Sequence, residues 1–255
     1  MRDNLWRLKT VVHLDLVIER LRAARRITVL TGAGVSAASG VPTFRGADGL
    51  WRKVRAETLA TPEAFENDPK LVWEWYDWRR QKIRDALPNA AHDVLASWTR
   101  ERPGVTVITQ NVDGLHERAG TERLVRLHGS IWRLRCWQPC AAAPRDWHDD
   151  TTPLPNLPPR CPHCNGLARP AVVWFGEPLD PEDVRKASEA AACDVFLTVG
   201  TSAIVYPAAG LVHAAKRHGA FTVEINLDRT DATSVVDVAL QGKAEEILRA
   251  LDGPS

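Results

Sequence analysis

The chain is 255 residues long, with 33 basic and 32 acidic side chains and a net charge of +1. That length buries a sizeable core, as one large domain or one domain with a smaller insert, and the near balance of charge sets up no global field for nucleic acid or an anionic membrane. No apolar run approaches 18 residues, and Met1-Arg2-Asp3-Asn4-Leu5-Trp6 lacks the apolar core of a secretion signal, so the expectation is a cytoplasmic protein with neither a membrane nor a nucleic-acid partner.

Leu14, Val17, Leu21 and Ala24 recur at helical spacing and predict an amphipathic helix over 13–25 that covers a sheet. The apolar run 27–30 reads as a buried strand, and Gly32-x-Gly34-x-x-Ala37 comes directly after it, the order in which a dinucleotide-binding turn is built. Gly32 lets the chain turn tightly, Gly34 lets backbone N–H groups close on a pyrophosphate, and small Ala37 keeps the next helix near its strand, its N-terminus aimed at the anion. The acid that ordinarily holds a ribose about 20 residues further on is missing, since Asp48 sits in a loop-like stretch, 46–51. Glycine-rich turns without a cofactor are common, so at this point a dinucleotide site and a plain turn both stand.

Helices are predicted over 70–87, rich in Trp and Arg, and over 91–102, closed by Pro103-Gly104. A strand over 105–109 ends in Gln110-Asn111-Val112-Asp113, placing polar side chains at the carboxyl edge of a parallel sheet. A short strand over 124–127 runs into His128-Gly129-Ser130, and without further context such a histidine is more often structural or exposed than catalytic. Asp180 and Pro181 supply a cap and a first-turn proline for a helix that leads into a strand over 195–200. Helix 207–218, strand 221–225 and helix 243–251 complete the series. Short apolar strands separated by helices predict an α/β fold, a parallel sheet with helices on both faces.

Between 131 and 170 that rhythm stops, and the segment carries Cys136-x-x-x-Cys140 and Cys161-x-x-Cys164. Four thiolates in two close pairs surround a Zn²⁺ tetrahedrally with no open position, so the metal is expected to be structural, stapling a proline-rich segment with little core of its own. Four reduced core cysteines are the other reading, which so polar a segment disfavours. His163, inside the second pair, reads as a bystander, and Cys193 as a small buried hydrophobe. Immediately after this segment, 172–177 reads as an apolar, aromatic core strand.

Taken together, Gly32-Ala33-Gly34-Val35-Ser36, Gln110-Asn111-Val112-Asp113, Leu127-His128-Gly129, the paired cysteines, Val172 to Glu177 and Gly200-Thr201-Ser202 resemble the sirtuin family of NAD-dependent protein deacylases, in order and spacing over 14–251. The resemblance implies a Rossmann-like NAD-binding domain from 1–45, 88–130 and 171–255. It also implies a small domain made of a helical insert, 46–87, and a zinc module, 131–170, that carries one ion on Cys136, Cys140, Cys161 and Cys164. NAD and an acyl-lysine protein or peptide would meet in the cleft; the acyl oxygen attacks C1′ of the nicotinamide ribose, nicotinamide leaves, and O-acyl-ADP-ribose results.

By the same resemblance His128 is the general base, Asn111 and Asp113 orient ribose, water and nicotinamide, and Gln110 bonds the ribose. Gly32, Ala33, Gly34, Ser36, Phe44 and Arg45 line the cofactor, with Gly200, Thr201, Ser202 and Asn226 on its adenosine half and Ala244 touching adenine through backbone. Val173 and its neighbours hold the peptide as an added strand. Tyr76 and Arg79, three apart on one helix face, match the Tyr-x-x-Arg of the subgroup that removes succinyl, malonyl or glutaryl groups, whose carboxylate an Arg fork grips. Acetyl removal is expected to survive but be weaker. Ala38 departs from the acid that many relatives carry, which bears on affinity and removes no catalytic group. Protein ADP-ribosyl transfer is the alternative activity; a non-catalytic sensor is disfavoured by the presence of both His128 and Asn111. Oligomeric state is open, with a monomer as the default, and protein targets are not readable.

Overall fold

The computed structural model describes residues 2–42, 50–51, 54–138, 140–202 and 208–253. Helix α1 (Arg2–Ala23) leads into β1 (Ile27–Thr31), and a 3-10 helix (Ala33–Ser39) comes next. A hairpin of β2 (Leu50–Trp51) and β3 (Val54–Arg55) opens an insert of three helices, α2 (Ala56–Leu59), α3 (Pro62–Asn67) and α4 (Pro69–Arg84). The chain returns through α5 (Ala90–Glu101), β4 (Val105–Thr109), α6 (Leu115–Arg118) and β5 (Leu124–Arg126). It then forms an antiparallel sheet of β6 (Gly129–Cys136), β7 (Trp147–His148) and β8 (Ala168–Val172), with β6 central. Last come α7 (Pro181–Ala190), β9 (Val195–Val199), α8 (Ala209–Arg217), β10 (Phe221–Asn226), a 3-10 turn (Asp231–Ser234), β11 (Val238–Gln241) and α9 (Ala244–Asp252).

The main sheet is parallel throughout, in the order β11-β10-β9-β1-β4-β5. Its two halves grow outward from β1 in opposite directions, which is the Rossmann arrangement and leaves a crevice at the carboxyl end of β1. Every residue of β1 and β9 is buried, because successive side chains point to opposite faces and helices cover both. Val29, Val107 and Leu197 pack against Val17, Leu95 and Leu248, whereas Leu30, Ile108 and Phe196 pack against Ala187, Val212 and Ala215. The cap predicted at Asp180 is present: its carboxylate accepts from the amides of Glu182 (2.8 Å) and Asp183 (3.3 Å). No helix among the described residues is long and apolar enough to cross a membrane.

Two expectations change. The first helix starts at Arg2, well before the periodic apolar positions begin. The segment 172–177 is not a strand beyond Val172: Gly176 has φ +87°, Glu177 N–H donates to the Trp174 carbonyl, and the Glu177 carboxylate caps Trp174 N–H at 2.8 Å, which closes a turn. The stretch 131–170, with little core of its own, shares one: Ile131, Leu134 and Ala168 pack with Phe65, Trp73 and Trp75 of the helical insert. Buried Arg80 clamps the two together, donating to the carbonyls of Ile131, Asp149 and Thr151 and to the Asp149 carboxylate (2.8 Å). Trp73 Nε1 donates to the Ala168 carbonyl, and Trp75, Tyr76 and Arg79 of the same helix line the sheet crevice.

Candidate active site

At the carboxyl ends of β1, β4, β5 and β9 lies a cleft of about 410 Å³, shared by loop residues such as Gly34, Asn111 and His128 and by Tyr76 and Arg79 of α4. Gly34 N–H donates to the Gly200 carbonyl at 2.8 Å, and a Cβ on Gly34 would lie 2.7 Å from Gly200 Cα. Gly200 has φ +58°, and a Cβ there would lie 2.5 Å from Val35 N. The glycines expected to admit a pyrophosphate thus first admit each other's loops, and they bring Gly32, Ala33, Thr201 and Ser202 to the same wall. The helix expected after the turn is a 3-10 helix, Ala33–Ser39.

His128 stands where β5 gives way to β6, and Gly129 (φ +77°) allows the Ala171 carbonyl to approach. Its Nδ1 lies 2.9 Å from the Gln110 carbonyl; a carbonyl only accepts, so Nδ1 carries the proton and the lone pair is on Nε2. Burial lowers the imidazole pKa below its ordinary value, with the carbonyl bond opposing. The ring is therefore uncharged at neutral pH, the form in which an imidazole can accept a proton.

Behind it runs a buried polar chain that motif reading did not reveal. Asn111 Nδ2 donates to the Gly32 carbonyl (3.0 Å) and to Ser36 Oγ (3.2 Å), and Ser36 Oγ donates to Asp113 Oδ2 (2.8 Å). Asp113 Oδ1 accepts from Leu115 N–H, and burial raises its carboxyl pKa. His92 Nδ1 accepts from Asn89 N–H, so its Nε2–H faces Ser36 Oγ, 3.4 Å away, and its ring packs 4.9 Å from that of His116. Burial pushes His92 down to about 4 and His116 down to about 3. Neither Ser36 nor Asp113 lines the cleft; both hold Asn111, which does. Gln110 spends its side-chain amide N–H on Thr201 Oγ1 (2.9 Å) and its backbone carbonyl on His128. Asn226 donates to the Thr201 carbonyl and lines a second hollow of about 250 Å³ at the ends of β10 and β11. Ala244 is buried in the sheet core at the start of α9, and the expectations for Phe44 and Arg45 lie outside the described residues.

The remaining wall comes from α4 and the turn after β8. Tyr76 is buried, its oxygen accepts from Trp174 Nε1 at 2.9 Å, and burial pushes its pKa up to about 12, so the phenol stays neutral. Half-buried Arg79 lies with Cζ 5.2 Å from the Trp75 ring centroid. Desolvation lowers its pKa, and the neighbouring Tyr76 and Asp113 offset this. Val173 also lines the cleft, with its N–H on the His128 carbonyl (3.0 Å). Sequence spacing points to Tyr76 and Arg79; it gives Trp75 and Trp174 only as core.

The four cysteines converge where β6 ends at Cys136, beside the start of β8. Their sulfurs all lie within 4.8 Å of one another, with 3.4 Å between Cys136 and Cys140 and 3.7 Å between Cys136 and Cys164. Tetrahedral Zn–S bonds of about 2.3 Å put sulfurs about 3.8 Å apart, so the set fits one zinc ion, and backbone N–H groups of His163 and Gly166 already point at the sulfurs of Cys161 and Cys164. His163 contributes no ligand atom to that group, as expected, and Cys193 is buried elsewhere.

A sequence model of the Sir2 family matches residues 32–207. The chain is 51% identical over 224 residues to the NAD-dependent protein deacylase of Aquifex aeolicus (strain VF5), covering 88% of this chain and 92% of that protein. Its fold is similar to a solved Sir2 homologue in complex with NAD, at a TM-score of 0.87 and 43% identity over 93% of this chain and 92% of that one. It is comparably similar to a mutant Sir2 homologue bound to 2'-O-acetyl ADP ribose, at a TM-score of 0.85 and 43% identity over 94% and 93%.

Proposed function

From the premise that this chain belongs to the Sir2 family, the sirtuins, and is an NAD-dependent protein deacylase, we propose that its preferred substrates are lysines carrying acyl groups that end in a carboxylate, with acetyl-lysine served more slowly. The observation that carries this reading is that a phenol and a guanidinium from α4 share one cleft with the His128 imidazole.

Bound NAD supplies an electrophilic ribose carbon with nicotinamide as its leaving group. The chain's own residues do the rest. Val173 and adjoining backbone pair with the substrate main chain, leaving side-chain preference loose. Arg79 grips the acyl carboxylate as a fork and Tyr76 donates to it, both in a wall where Trp75 excludes water. With the far end anchored, the acyl carbonyl is held toward the ribose site. His128 Nε2 takes the proton of the ribose hydroxyl, while the Nδ1–H bond to Gln110 fixes the ring and supports the imidazolium that forms. Asn111 is oriented for ribose and nicotinamide by the Gly32 carbonyl and the Ser36–Asp113 pair. Gly34, Gly200 and Ser202 receive the phosphates and adenosine ribose, with Asn226 beyond them. Insert 46–87 and module 131–170 act as one small domain on a large domain formed by 1–45, 88–130 and 171–255, and a zinc ion on Cys136, Cys140, Cys161 and Cys164 would hold that module's cysteine knuckles closed.

The test is incubation with NAD and peptides of one sequence bearing succinyl- or acetyl-lysine, read by mass spectrometry. O-acyl-ADP-ribose should appear from both, faster from the succinyl peptide. Label transferred to protein without loss of acyl would overturn the deacylase reading, and an acetyl rate equal to or above the succinyl rate would overturn the preference.

A further inference from the structure

Tyr76 is useful to a carboxylate only as a donor, because an ionised carboxylate only accepts. A phenol, however, has one proton and two lone pairs, and its rotation decides which of them faces the cleft. The residue that decides it is Trp174. Its indole N–H can only donate, and it is directed at the Tyr76 oxygen at 2.9 Å, with both side chains buried. The lone pair facing Trp174 is thereby used, and the phenol proton is left for another acceptor.

The indole is itself held by its neighbours. Arg169 lies flat on it, with Cζ 3.3 Å from the ring centroid, and Phe65 stands 5.3 Å away. Glu177 receives Arg169 through both oxygens, at 2.5 and 2.9 Å, and its Oε2 also accepts from the Trp174 backbone N–H. Arg169 further donates to the Val172 carbonyl at 3.0 Å. A second guanidinium, Arg135, approaches Glu177 at 3.3 Å, so the carboxylate is held between two cations. The clasp fixes the backbone turn after β8 and the plane of the indole in one step.

We propose that Trp174, clasped by Arg169 and Glu177, is a positioning residue for acyl specificity: it holds Tyr76 as a hydrogen-bond donor aimed at a carboxylate-ended acyl group. This rests on the acidic-acyl reading above. Trp174 lines the same cleft, but in this role it acts through the phenol. Its removal should therefore change which acyl groups are taken rather than whether the chemistry runs.

The experiment is a double-mutant cycle of Trp174→Phe and Tyr76→Phe, with kcat/KM measured on succinyl- and acetyl-lysine peptides of one sequence. A donor to a charged group is worth about 10- to 100-fold, so Tyr76→Phe should lower the succinyl-to-acetyl ratio by roughly that factor. Trp174→Phe should lower the ratio at least about 5-fold, and the double variant should match Tyr76→Phe alone, because without the phenol there is nothing left to aim. Equal losses on both peptides, or losses that multiply in the double variant, would reduce Trp174 to a packing residue and overturn the proposal. A wild-type protein with no succinyl preference would sink the acidic-acyl reading, and this inference with it, a result distinct from a preference that Trp174→Phe leaves intact. Should Trp174→Phe fold poorly, Glu177→Gln loosens the clasp with less volume change and should move the ratio in the same direction; an unmoved ratio refutes.

Discussion

Replacing Arg79 by methionine removes the guanidinium and keeps an unbranched stem lying on the Trp75 ring, 5.2 Å from the present charge centre. In a half-desolvated wall a charge-assisted, two-pronged bond to a carboxylate contributes about 1.5–3 kcal/mol. At about 1.4 kcal/mol per decade this is a fall of roughly 10- to 150-fold in kcat/KM for succinyl-lysine. Arg79 also lies near Asp113, whose carboxyl burial already pushes up, so losing the cation pushes it further and loosens the Ser36–Asn111 support. That indirect effect is screened and reaches acetyl-lysine at about 2- to 3-fold. Arg79→Lys keeps the charge without the fork and should fall between. The assay is nicotinamide release at saturating NAD on matched succinyl and acetyl peptides, together with the melting temperature, which should move little. Parallel losses on the two peptides, or a loss expressed as a raised KM for NAD, would refute the carboxylate grip.

For His128, burial outweighs the Gln110 bond and its pKa lies below 6.5, so the acid limb of kcat/KM should fall below that pH; His128→Ala should leave the melting temperature near wild type and lower deacylation by at least about 100-fold. An acid limb above pH 7 would contradict the neutral-base assignment. The folded protein should lose stability in acid through His92 and His116: their folded pKa values of about 4 and about 3 lie below the unfolded 6.5, so the unfolded chain binds more protons, and stability present above pH 6.5 is lost as pH falls through 4. His92 alone accounts for about 3 kcal/mol, and denaturant melts at pH 7 and 4.5 compared with His92→Asn measure it; an identical pH slope in the variant removes His92 from the account. Chelation or Cys161→Ser should release one zinc per chain, measured by metal analysis, and lower the melting temperature by about 10 °C or more; an unchanged melt in metal-free protein would show that the module folds on its shared aromatic core alone.

Much of this molecule is readable in one dimension because its signals are local. Runs such as Val105-Thr106-Val107-Ile108-Thr109 are apolar throughout since both faces of the strand are covered, and Asp180-Pro181 announces a helix start through chemistry confined to one turn. The two cysteine pairs, the Gly32–Gly34 turn, His128 and the Tyr76-x-x-Arg79 spacing belong to the same class. Segment 172–177 misleads for the opposite reason: its apolar composition suits a strand, and the turn comes from a side chain, Glu177, reaching back to an amide three residues earlier.

The sequence by itself therefore determined the fold class and the cysteine set, and it singled out His128, Tyr76 and Arg79 as candidates, since each is a pattern within a short stretch of chain. Only the tertiary structure decided how these groups are placed together. It seats Asp113 and Ser36 behind Asn111 rather than in the cleft, sets Gly34 against Gly200, and fits Arg80 between insert and cysteine module. It also brings Trp174 and Arg169 to Tyr76 across 98 and 93 positions of chain. Burial and hydrogen-bond partnership at such separations depend on where the whole backbone goes, and no local spacing encodes that.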